Sequence, residues 1–127
     1  MIKTRVIETT EGIQDELTVE IFDAFARSMR DKGWNGVDEM IASGIKGGDV
    51  LEIGPGPGYV GLELAKKIHL NSLTGCEISP AMLRVAVKNA DDYQIPACYV
   101  QGNCTGMPFL THTQIGNSKI NLCLFHN

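Results

Sequence analysis

The sequence predicts an α/β fold, an open parallel sheet flanked by helices with a small helical cap at its N-terminal side. Three observations carry that prediction. Strand and helix patterns alternate from residue 49 to residue 100. The first strand of the series runs into glycines at alternate positions, Gly54, Gly56 and Gly58, and a helical pattern begins directly behind them. The second strand ends at an acid, Glu77, and Ser79-Pro80 then opens a helix. Serine caps free amides, and proline suits the first helical position.

Taken in order, residues 1–12 read as an extended arm. From Ile13 the apolar residues Ile13, Leu17, Ile21, Phe25 and Met29 recur at every fourth position, with Phe22 and Ala26 widening the stripe. This predicts an amphipathic helix of about five turns. The stripe is expected to pack on the core, and the helix is placed to act as a lid over a ligand pocket. Asp31 to Gly36 breaks it. Val37, Met40 and Ile41 predict a short second helix, stopped by Gly44. The first strand is expected at 49–53. The following helix shows Val60, Leu64 and Ile68 on one face, and the second strand is expected at 72–76. The helix opened by Ser79-Pro80 is expected to bury Leu83, Ala86, Val87 and Ala90, and a third strand follows at 97–100. Thr111 to Lys119 is polar, and Ile120 to Phe125 reads as one more buried strand. The division that results is an arm and cap helices over 1–46 and a cofactor-binding core over 47–127, its sheet incomplete at the C-terminal side.

Composition narrows the function classes. With 127 residues the chain suffices for one small domain with a core. A net charge of −4 gives no general attraction for nucleic acids or anionic membranes, and nucleic-acid partners are not expected. No apolar run approaches the roughly 20 residues of a membrane span, and no apolar signal region follows Met1, so a cytoplasmic location is expected. Cys76, Cys98, Cys104 and Cys123 form no CxxC pair and no histidine stands at ligand spacing from them. They are expected to be reduced, mostly buried thiols, with neither a disulfide framework nor a metal site. His69, His112 and His126 are not assigned a role.

The chemistry lies where the three strands end. In an open parallel sheet, ligands bind outside the carboxyl ends of the strands. The glycine loop, Glu77-Ile78, and Gln101 to Cys104 with Met107-Pro108-Phe109 should therefore line one crevice. Glycine allows a ligand to approach the main chain closely. Glu52, two residues before Gly54, argues against a phosphate ligand, since a pyrophosphate would prefer no carboxylate beside its loop. A literal GxGxxG is present as Gly56, Gly58 and Gly61, with Glu77 about 20 residues on, so an NAD-binding oxidoreductase remains an alternative.

Residues 50–109 resemble the class I S-adenosylmethionine-dependent methyltransferases. The resemblance rests on the glycine-loop segment, on Thr74 to Leu83, and on Gly102-Asn103 with Met107-Pro108-Phe109, in that family's order and spacing. It implies a Rossmann-like sheet, S-adenosyl-L-methionine as cofactor, and in-line attack on its methyl group. It implies that Gly54, Gly56 and Gly58 approach the methionine part, and that Glu52 shapes that end of the site. It further implies that Glu77 accepts from the ribose hydroxyls, Ile78 and Met82 pack on adenine, Asn103 faces the adenine amino group, and the Cys104 amide meets a ring nitrogen. The family usually has Asp where Asn103 stands, and the neutral amide should weaken that contact. No catalytic residue is assigned, and the acceptor is unknown, a small molecule being favoured.

The family pattern also leads to expectations for the C-terminal side. From Thr111 to Asn127 there is no Asp or Glu, and Ile120-Asn121 stands where the family usually has an aromatic-Asp pair. A truncated or frameshifted product is expected, and with it a catalytically inactive remnant as an alternative function. A last strand beside the first would expose an edge flanked by Leu122, Leu124 and Phe125, which predicts a homo-oligomer.

Overall fold

The computed structural model describes residues 15–102, 114–115 and 118–124, the last two segments as backbone only. The extended arm, Ile13, Asn103, Cys104 and the segment around Pro108 lie outside the described residues.

Helix α1 (Glu16–Asp31) starts where Asp15 accepts from the Thr18 amide at 2.9 Å and from its hydroxyl at 2.8 Å. That satisfies one of the free amides of the first turn. Helix α2 (Val37–Ala42) ends as expected at Gly44, whose φ of +117° suits glycine alone. Then follow β1 (Asp49–Ile53), α3 (Tyr59–Lys67), β2 (Ser72–Glu77), α4 (Pro80–Tyr93), β3 (Cys98–Gln101), β4 (Gln114–Ile115) and β5 (Ser118–Leu124).

The described strands form one sheet in the order β3-β2-β1-β5-β4. β1, β2, β3 and β5 are parallel, and the two-residue β4 pairs antiparallel to the start of β5. The last strand therefore does lie beside the first, two residues earlier than expected, and Ser118 and Lys119 are covered by β4. That short return lies within the stretch expected to be a loop. Its polar composition gave no strand pattern. The chain moves outward from β1 to β3 and then returns to the opposite flank of β1. The reversal leaves a crevice at the carboxyl end of β1.

The core is built on the face where Val50, Leu73, Leu62, Leu64, Val37 and Ala90 meet. A smaller cluster joins Val19 of α1 to Ala81 and Met82 of α4, with Phe22 and Val85 packed against it. Polar anchors complete the docking of α1. The Tyr59 hydroxyl donates to Asp23 at 2.7 Å, and burial, aided by that bond, pushes the phenol up to about 12. Arg30 donates to the Tyr93 hydroxyl at 3.0 Å and stands 4.9 Å over the Tyr59 ring.

The structure corrects the expected face of α1. Leu17, Ile21 and Phe25 are 63%, 62% and 62% exposed, while Val19 is buried and Phe22, Ala26 and Met29 are half-buried. A stripe that repeats only at every fourth residue drifts about 40° around the helix per step. Leu17 and Met29 consequently fall on different sides, and the inward face is the one that alternates steps of three and four. The same correction applies to α4, where Val87 is 47% exposed and the inward residues are Ala81, Met82, Ala86, Asn89 and Ala90. The cysteines differ as well. Cys98 is exposed with a free thiol, and Cys76 is buried and disulfide-bonded. Sequence spacing does not reveal pairing, which depends on the distance between the two Cα atoms in the fold.

Two outcomes follow in urea unfolding. Leu64→Ala, at a fully buried position, should lose about 2–5 kcal/mol. Val19→Ser should destabilise clearly, whereas Leu17→Ser should stay within about 0.5 kcal/mol of the parent protein. The reverse order would place the wrong face of α1 inward.

Candidate functional site

β1 delivers the chain into the loop at the reversal point. Gly54, Gly56 and Gly58 have φ of +64°, +55° and +86°, angles that a Cβ makes costly. The Gly54 amide donates to the Cys76 carbonyl at 2.9 Å, and Gly58 closes a turn by donating to the Pro55 carbonyl at 2.9 Å. Asn89 of α4, buried, donates to the Pro57 carbonyl at 2.9 Å and fixes the far side of the loop.

Glu77 organises the crevice. It ends β2 and is only 3% exposed. One carboxylate oxygen accepts from the Gly56 amide at 3.1 Å, the other from the Ser79 amide at 2.9 Å. The glycine loop and the start of α4 are thereby held by a single side chain. Ser79 in turn caps α4, its hydroxyl accepting from Met82 at 3.1 Å. Each carboxylate oxygen has two acceptor sites, so Glu77 keeps capacity for two further donors.

Glu52 is wholly buried and lies behind the loop. One oxygen accepts from the Gly61 amide at 3.1 Å, which satisfies a first-turn amide of α3 that Gly58, without a side chain, leaves unmet. The other oxygen has no hydrogen-bond partner among the described residues. Burial foremost, and the Glu77 charge to a lesser extent, push this carboxyl up to about 8, against the lowering effect of the Gly61 bond.

The remaining expected residues divide into groups. Ile78 is half-buried beside Glu77. Met82 is buried under Val19 of α1. Asn103 and Cys104 lie outside the described residues, and His69 is exposed. Three residues that the sequence did not single out as site residues stand at the loop. Phe22 lies on the loop, and a Cβ at Gly56 would meet its ring at 3.4 Å. Asn89 holds Pro57, and Tyr99 of β3 reaches Gly58, where an added Cβ would stand 2.9 Å from its hydroxyl. Gly75 was the available signal for Tyr99, because a glycine inside a strand marks a close approach.

Comparison with known proteins settles the family. The sequence profile of the methyltransferase domain matches residues 50–119, more than half of the chain. The chain belongs to the methyltransferase-domain family. No curated protein sequence matches it. Among solved structures, a candidate S-adenosyl-L-methionine-dependent methyltransferase from Methanococcus maripaludis superposes with a TM-score of 0.64 at 25% identity, covering 77% of this chain and 46% of that one. A chain from the complex of the Haloferax volcanii Trm112 methyltransferase activator with its candidate methyltransferase gives 0.56 at 24% identity, covering 80% and 45%. TrmK from M. capricolum, solved with S-adenosyl-homocysteine, gives 0.50 at 20% identity, covering 67% and 38%. The last two support the fold. This chain spans less than half the length of each of these solved relatives.

S-adenosyl-L-methionine is the cofactor that membership of the methyltransferase-domain family assigns to the crevice. The described residues suit it. A buried carboxylate with spare acceptor capacity stands at the end of β2, and the neighbouring loop presents glycines without side chains.

Two measurements test this geometry. Gly61→Ala replaces a helical glycine with the best helix former, yet its Cβ would press on the Glu52 carboxylate, so stability should fall by about 1–3 kcal/mol. Glu52 keeps its proton to about pH 8 when folded, against 4.5 as the ordinary value. Its contribution to stability is thus complete below about 4.5 and is lost as pH rises through 8. Thermal unfolding should therefore show Glu52→Gln losing less stability than the parent protein between pH 5 and pH 8.5.

Proposed function

We propose that the crevice binds S-adenosyl-L-methionine for methyl transfer to a small-molecule acceptor. The observation that carries this reading is Glu77, a buried carboxylate already in hydrogen-bond contact with the glycine loop. The cofactor supplies a methyl group activated on a sulfonium. This chain's residues bind and orient it. Glu77 receives the ribose hydroxyls on its spare acceptor sites. Gly54, Gly56 and Gly58 admit the methionine part against the backbone. Ile78 flanks the base, and Phe22 limits access of water from the side of α1. Alignment of nucleophile and methyl group supplies much of the rate in such a transfer, so the fold need not provide a general base.

Membership of the family, the half-length match to solved relatives and the site geometry support this reading for the cofactor half of the reaction. The edge of β5 beyond Lys119 has no strand beside it among the described residues. Self-association along that edge, in a cytoplasmic protein, is the expected consequence if nothing else covers it.

Calorimetry tests the cofactor reading. S-adenosylhomocysteine should bind, and NAD should not. Glu77→Ala should weaken binding at least tenfold, because two donors on the ligand and two backbone amides lose their acceptor. NAD binding without a response to S-adenosylhomocysteine would overturn the assignment. Light scattering at rising protein concentration should show growth beyond the monomer mass, and a monomer throughout would remove the edge-pairing reading.

A further inference from the structure

Glu52, Gly75 and Tyr99 occupy one row across β1, β2 and β3, in direct register. Gly75 leaves the middle of that row without a side chain. The Tyr99 ring fills this space, since a Cβ on Gly75 would stand 2.5 Å from Tyr99 Cδ1 and 3.0 Å from Pro55 Cγ. Lying across β2, the ring brings its hydroxyl to the underside of Gly58, on the β1 side of the row. Among the described residues, two buried polar atoms are left without partners there, Glu52 Oε1 and Tyr99 Oη. Buried polar atoms in native proteins are satisfied with few exceptions, by protein or by enclosed water.

We infer that Tyr99 is a positioning residue of the cofactor loop, joined to Glu52 by a buried hydrogen-bond bridge across one enclosed water. A hydroxyl suits this place because, through that water, it can accept from the neutral acid and, once the acid ionises, donate to it. The link secures the exit of the glycine loop at two points. Glu52 holds the Gly61 amide in the first turn of α3, and Tyr99 supports Gly58 from below. The groups facing Glu52 are consistent with a protonated acid. They are the Gly61 amide from α3, the Glu77 carboxylate from β2 and the Tyr99 phenol from β3, while Cys123 is its register partner on β5. Tyr99 is itself raised, chiefly by burial and secondarily by the Glu52 charge. The inference depends on the proposed cofactor only for its ligand readout.

Tyr99→Phe removes the oxygen and keeps the ring. The infrared carbonyl band of the protonated Glu52 acid, assigned by its disappearance in Glu52→Gln, should shift in Tyr99→Phe. The midpoint of its pH titration should move with it. Affinity for S-adenosylhomocysteine should fall about three- to tenfold, and Tyr99→Phe should add little further loss on the Glu52→Gln background. Gly75→Ala, which displaces the ring, should reproduce the band shift, and it carries the test should Tyr99→Phe fold poorly. A band and midpoint unchanged in both variants would overturn the link. Fully additive effects of Glu52→Gln and Tyr99→Phe on affinity would overturn the positioning role. Should the parent protein fail to bind S-adenosylhomocysteine, the cofactor reading falls, and the infrared and titration results still decide the link.

Discussion

The bond pair that Glu77 makes with the Gly56 and Ser79 amides is the constraint on which the site depends. Each of its oxygens takes one backbone N–H from a different segment. One segment is a loop that glycine makes permissive, and the other is the start of a helix. Neither has its crevice-side geometry fixed by the sheet ladder alone. A carboxylate between two backbone donors is a charge-assisted arrangement, stronger than neutral bonds of the same length. Its removal would leave two amides seeking partners in a poorly solvated place, which costs more than the bonds themselves are worth. The crevice is thus held in shape by the group proposed to receive the ligand.

Around that point, successive layers restrict the loop further. Asn89 holds Pro57 from α4, Glu52 holds the first turn of α3, and Phe22 lies over Gly56 from α1. Among the described residues, α1 packs mainly on α3 and α4. It is therefore fastened by side chains, among them the Asp23–Tyr59 and Arg30–Tyr93 bonds. Such fastening can be released without breaking the sheet. A helix held this way is suited to covering a site that must open.

Much of this was legible in the sequence, and the reasons are local. The first strand and the glycine loop were visible because turn glycines and a short apolar run act over a few residues. Ser79-Pro80 announced α4 through capping chemistry. The acids Glu52 and Glu77 stood out because carboxylates at the end of apolar strands require a reason to be there. What failed was the reading of helix faces. In α1 a uniform spacing of four suggested one stripe, but Leu17, Ile21 and Phe25 turn away from Val19 and Phe22 as the helix winds. In α4 the buried Asn89 was passed over for Val87, because polarity argued against burial and only the fold reveals the Pro57 carbonyl that satisfies it. The disulfide at Cys76 and the two-residue β4 were equally out of reach, since each depends on segments brought together by tertiary structure.

The row formed by Glu52, Gly75 and Tyr99 has an evolutionary consequence. Positions 75 and 99 share one volume, with the missing side chain of the first occupied by the ring of the second. They should therefore vary as a single character. A lineage that acquires a larger residue at 75 is expected to carry a smaller one at 99, and the order of the two changes matters. Shrinking position 99 first opens a cavity that the fold can tolerate, whereas enlarging position 75 first drives a Cβ into a ring. The accessible path between the two arrangements runs through the intermediate that is small at both positions.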